Sequence, residues 1–251
     1  MTQAGQLERS IAAVSAPLPP MGGGMEGRLV IGQGSGLDAL DPFPALMHDG
    51  VPPEVMFPPH THRGVEIISY CLSGALYHED STGNRGTLVA GGVERNLFGR
   101  GYQHSERPVG GEYYRGFQLF IALSPQDREM EPSWQVLAPE EVPEVVLDGV
   151  RARVVAGELG RTRSPLELRN PTLYLDVQVA PGDSTAIPVP PDQAGIAYLL
   201  TGRGRFGTPA VEAGPHQRLV LGEGHDLRVS AGEEALRFVL ISGRPILRGR
   251  L

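Results

Sequence analysis

Eight short apolar runs recur along the chain with glycine-bearing turns between them: VEIISYCL, GTLVAGGV, FQLFIAL, ARVVAG, TLYLDVQVA, GIAYLLTG, QRLVLGEG and LRFVLISG. Runs this short, rich in Val, Ile, Leu, Tyr and Phe, read as strands and leave no room for long amphipathic helices. The 34 glycines and 23 prolines supply the turns that such strands need. The expected class is all-β, barrel or sandwich, and 251 residues suffice for two domains.

An internal resemblance sharpens this. Tyr70, Leu72 and Gly74 match Tyr198, Leu200 and Gly202, and Leu88, Val89 and Gly101 match Leu219, Val220 and Gly232, in the same order and at nearly equal offsets. The reading is two tandem β-barrels from an internal duplication. A first, metal-binding barrel is expected over 1–130, a linker over 131–148, and a degenerate second barrel over 149–251. The stretch Ser124 to Glu144, with its prolines and clustered acids, breaks the strand rhythm and carries at most one helical turn.

Chemistry concentrates in two short motifs. In His60-Thr61-His62 and His104-Ser105-Glu106 the metal-capable side chains lie two apart, and residues i and i+2 of a strand share a face. Two such pairs on neighbouring strands can aim three imidazoles and one carboxylate at a single first-row transition metal. That fills four positions of an octahedron and leaves two for water, a bidentate substrate or O₂. At the repeat offsets His60 and His62 fall on Pro188 and Pro190, and His104 and Glu106 on Ala235 and Arg237. All four donors are missing together from the second barrel.

Glu66 shares the parity of His60 and His62 if the strand runs on without a bulge. Four roles are open to it: a fifth ligand, a partner that orients an imidazole, a general base, or a buried acid paired with an arginine. It is carried as an auxiliary catalytic candidate beside Glu106. His78-Glu79-Asp80 precedes the turn-forming Ser81-Thr82-Gly83-Asn84 and reads as a polar hairpin tip. His48, His216 and His225 read as loop histidines, and Cys71 as core. Gly32-Gln33-Gly34-Ser35-Gly36 lacks the Lys-Ser/Thr of a phosphate loop.

Composition excludes several classes. A single cysteine rules out an intramolecular disulfide and a cysteine-rich zinc site, and suits a reducing compartment. The net charge of −7 argues against direct nucleic-acid or membrane-surface binding. Arg244, Arg248 and Arg250 read as a solvated chain end. With no signal-peptide pattern at its start and no segment of transmembrane length, the chain is expected to be cytoplasmic.

The blocks PHTHRGVEIISYCLSG, HEDSTGNRGTL and GRGYQHSE, with further likeness from about residue 8 to 247, resemble the pirin family of the cupin superfamily. The resemblance implies two cupin, jelly-roll-like barrels with one mononuclear divalent metal in the first. Iron(II) is the expected ion, other first-row transition metals being alternatives. The family's three histidines and one glutamate map onto His60, His62, His104 and Glu106. Thr61 stands where the family generally has proline, a mild departure because that residue faces away from the metal. Two activities are implied. One is an O₂-dependent dioxygenase of the quercetin 2,3-dioxygenase type, which would take a small aromatic, flavonol-like substrate in a pocket that Phe57, Phe98 and Phe117 help line. The other is a metal-dependent regulator that binds a protein partner without turnover.

Overall fold

A computed structural model describes residues 7–22, 25–147 and 149–246. Its regular elements are strands, apart from a single 3-10 turn at Pro139–Glu141, among the described residues. No helix among them is long and apolar enough to cross a membrane.

The chain forms two compact units. Among the described residues one comprises Pro19–Val142, Pro165–Asn170 and Ile246; the other comprises Leu7–Leu18, Pro143–Ser164 and Pro171–Pro245. The units are therefore interleaved in sequence. Ile11–Val14, placed by sequence with the first barrel, pairs instead with Arg218–Leu221. The expected linker also contributes structure: Ser133–Leu137 pairs antiparallel with Val93–Leu97 as an edge strand.

In the unit containing Pro19–Val142, a six-stranded sheet has the order Ser133–Leu137, Val93–Leu97, Val65–Ser73, Tyr114–Ala122, Ala45–Val51, Arg28–Ile31. A four-stranded sheet has the order Phe57–His62, Tyr102–Pro108, Ala75–Asp80, Arg85–Val89. Val51, Cys71 and Tyr114 from the larger sheet pack with Leu76 and Leu88 from the smaller, so the core lies between the two. The run VEIISYCLS is buried along most of its length, which explains why it reads as continuously apolar and not alternating.

The second unit repeats the plan with a seven-stranded and a four-stranded sheet. In the smaller sheet Ser184–Pro188, Asp226–Ala231, Gly204–Phe206 and Val211–Ala213 take the places of Phe57–His62, Tyr102–Pro108, Ala75–Asp80 and Arg85–Val89. This supports two cupin barrels and corrects the residue correspondence drawn from sequence. Pro188 is exposed, whereas Ile187 and Val189 are buried and face the core. Arg237 lies on another strand, Leu236–Gly243, and is paired with Asp176. The positions that answer to His60, His62, His104 and Glu106 are Ile187, Val189, Leu227 and Val229, all within one apolar core. At these four positions the second barrel carries hydrocarbon.

Candidate metal centre

The centre begins with strand register. Phe57–His62 runs antiparallel to Tyr102–Pro108, with His60 opposite His104, Thr61 opposite Gln103 and His62 opposite Tyr102. On the other side of Tyr102–Pro108, Ala75–Asp80 sets His78 opposite Glu106 and Asp80 opposite His104. Alternation buries Tyr102, His104 and Glu106 and turns Gln103 and Arg107 to solvent. A tight turn feeds this strand: Gly99 has φ +46°, and a Cβ there would lie 2.2 Å from the Met130 carbonyl oxygen.

The ring centroids of His60, His62 and His104 are 4.4 to 5.3 Å apart. One donor atom from each lies within 4.8 Å of the others. Three of the four candidate ligands, His60, His62 and His104, therefore meet, whereas Glu106 falls in a separate group with His104 and His78. His60 Nδ1 is 2.9 Å from the Pro58 carbonyl oxygen, so that nitrogen donates its proton and Nε2 carries the lone pair. His104 is buried, and neither of its ring nitrogens has a hydrogen-bond partner. Two orphaned nitrogens are costly unless a ligand takes one, so the donors fit a metal ion.

Electrostatics favour the same conclusion. Burial, then the neighbouring His60, brings the His62 imidazole down to about 4. Burial, with His60, His78 and His62 around it, brings His104 down to about 3. Both rings are neutral at pH 7, the form that binds metal.

Glu106 is buried at the far side. Gln118 Nε2 donates to its Oε2 at 3.2 Å, and burial together with the Glu94 charge pushes its carboxyl up to about 8. Its donor oxygen groups with His104 and with His78. His78 is a residue that sequence reading placed at a hairpin tip. In fact it is fully buried, and only the turn from Asp80 to Asn84 is the tip. The available signal was parity: Leu76, His78 and Asp80 share the inward face, while Glu79 is exposed.

Glu66 goes elsewhere. Its apparent parity with the histidines is broken at Arg63-Gly64, where Gly64 takes φ +67° and the chain passes from the four-stranded to the six-stranded sheet. Ile67 packs with Phe98 and Tyr102, so Glu66 faces the other way. There it accepts from Arg95 Nε at 2.6 Å and from the Arg169 backbone N–H at 3.1 Å.

Of the three phenylalanines considered for a pocket, Phe98 meets His62 and His104 edge-on at 4.8 and 5.0 Å. Phe117 stacks instead on His48, which sits in the Ala45–Val51 strand and not in a loop. Phe57 packs against the cluster containing Leu76 and Tyr114. Phe120, unremarked in the sequence, lies 5.5 Å from His62, and Tyr102 stacks on Phe98 at 4.3 Å. His62 therefore has an aromatic wall beside it.

Comparison with known proteins agrees with this architecture. The Pirin family model matches residues 30–121, and the Pirin C-terminal cupin domain model matches 174–250. A pirin-like protein of Solanum lycopersicum is 40% identical over 212 residues, covering 84% of this chain and 73% of its own. A crystal structure of GK1651 from Geobacillus kaustophilus superposes with a TM-score of 0.88 at 29% identity, covering 98% of this chain and all of the other. A quercetin 2,3-dioxygenase from Acinetobacter baumannii has a TM-score of 0.80 at 21% identity, covering 97% and 88%. The bacterial pirin YhhW from Escherichia coli in complex with nickel(II) has a TM-score of 0.71 at 15% identity, covering 95% and 98%. The last two likenesses concern the fold alone.

Proposed function

The chain belongs to the pirin family of the cupin superfamily, and from that premise we propose that it is a metal-dependent dioxygenase of the quercetin 2,3-dioxygenase type. The observation that carries this reading is the meeting of three histidines, two of them held neutral by burial, with an aromatic wall. His60, His62 and His104 would hold the metal, with Glu106 as fourth donor. Iron(II), the ion we favour, would supply Lewis acidity and an electron-exchange partner for O₂.

The chain's own groups account for the rest. His60 and His62 are only partly buried, while His104 and Glu106 are closed in, so substrate reaches the centre from the His60–His62 side. Phe98 and Phe120 give a planar aromatic molecule an apolar surface next to His62. Glu106 would serve as ligand and, when it leaves the metal, as the base that takes the proton of a substrate hydroxyl. Gln118 holds that carboxylate in place. We give Glu66 no proton-transfer role, because its two oxygens are engaged by Arg95 and Arg169.

The name of the Acinetobacter baumannii protein supplies the substrate to try. Iron(II)-loaded protein incubated with quercetin in air is expected to bleach the flavonol absorbance and release carbon monoxide. Protein with a full complement of metal and no turnover would overturn the dioxygenase reading in favour of a metal-dependent partner-binding protein.

A further inference from the structure

Apart from the metal donors, the first barrel holds a set of buried polar groups on the inner face of its larger sheet. Asp49, Ser69 and Tyr114 are 6, 1 and 0% exposed. Asp49 Oδ2, Ser69 Oγ and the Tyr114 hydroxyl each lack a hydrogen-bonding partner in the protein. One such atom is an exception in a folded interior, and three on one sheet face call for a shared ligand.

Strand register brings them together. Asp49 stands opposite Gly116 and Gly116 opposite Cys71, while Ser69 stands opposite Gln118, two residues further along each strand. These positions share the inward parity of Val51, Cys71 and Tyr114. The Tyr114 ring folds over Gly116, where a Cβ would lie 2.4 Å from the hydroxyl oxygen. That sets the hydroxyl between Asp49 on one neighbouring strand and Cys71 and Ser69 on the other. Asp49 is also the charge that the Tyr114 phenol feels most strongly after burial itself.

The second barrel has an apolar version of this floor. There Phe238 stands opposite Val177 and Leu199, and Leu240 opposite Ala197, while Gly202 meets Leu236 as Gly74 meets Tyr114. Asp49, Ser69 and Tyr114 thus answer to Val177, Ala197 and Leu236, all in one apolar core. The first barrel also carries Gly116 where the second has Phe238, and Cys71 where it has Leu199. Those exchanges remove hydrocarbon volume, and of this group only Tyr114 is much larger than its counterpart. A floor that is both polar and roomier is the setting in which internal water is held.

We propose that the first barrel binds internal water between Asp49 and the Tyr114 hydroxyl, in a file that continues to Ser69. Neighbouring strands lie about 4.8 Å apart, a gap that one water spans with a hydrogen bond to each side. The file ends beside Gln118, the cross-strand neighbour of Ser69, which donates to Glu106. It thereby joins the buried Asp49 carboxyl to the residue that holds a metal donor in place.

The test is a crystal structure of the full-length protein at a resolution that places ordered water. Oxygen-17 magnetic relaxation dispersion on iron-free protein then counts long-lived internal waters in solution. The expected results are a water within hydrogen-bond distance of at least two of the three groups, and a count lower by at least one in an Asp49→Val, Ser69→Ala, Tyr114→Phe triple variant. A wild-type structure with no water touching two of the groups, or with Asp49 bonded directly to the Tyr114 hydroxyl in its place, would overturn the proposal. An unchanged count in a folded triple variant would overturn it equally. If the triple variant fails to fold, the wild-type crystal structure decides alone. Neither turnover nor metal content is read, so the outcome is independent of the dioxygenase reading.

Discussion

Glu66 Oε1 lies 2.6 Å from Arg95 Nε, with the acid fully buried and the arginine side chain 7% exposed. Each charge is tolerable there only because of the other, and removing one partner of a buried pair costs about 3–5 kcal/mol. Glu66→Gln is therefore expected to lower stability by an amount in that range, measured by denaturant unfolding. Metal content should not change. A variant that kept wild-type stability but lost its metal would return Glu66 to the centre.

Asp49 gives a pH-dependent prediction. Burial pushes its carboxyl from 3.8 up to about 7, and its Oδ2 has no hydrogen-bond partner. The folded form keeps the proton while the unfolded chain loses it, so the contribution is complete below pH 4 and is lost as pH rises towards 7. In metal-free protein, Asp49→Asn should match the wild type near pH 4. It should then gain on it by up to about 4 kcal/mol at pH 8. Thermal melts across pH check this, and a constant gap between the two proteins would refute it.

Cys71 is completely buried, and burial pushes its thiol up to about 12. Since the thiolate is the reactive form, native protein at pH 8 should leave a chromogenic disulfide reagent unreacted over hours. Addition of guanidinium should release one thiol per chain within minutes. Fast reaction of the native protein would contradict the core assignment.

The limits of sequence reading follow from the same geometry. Parity within one strand is a local property, so His60 with His62 and His104 with Glu106 were legible. Parity does not survive a turn, and one glycine at position 64 sent Glu66 to a different sheet and face. Glycine-anchored matches found the duplication but slipped by a residue at Pro188 and by a whole strand at Arg237, because strands of unequal length share no fixed offset. His78 was missed for a third reason. A polar residue beside a turn usually faces water, and only pairing with the Tyr102–Pro108 strand shows that it faces inward.

The central claim is that His60, His62, His104 and Glu106 hold metal. Its most direct test is the metal content of a His62→Ala, Glu106→Ala double variant against the wild type, both reconstituted with iron(II) under anaerobic conditions and freed of excess by gel filtration. The wild type should retain the ion and the double variant should lose it while keeping its β-sheet circular dichroism. Full metal occupancy in a folded double variant would contradict the account.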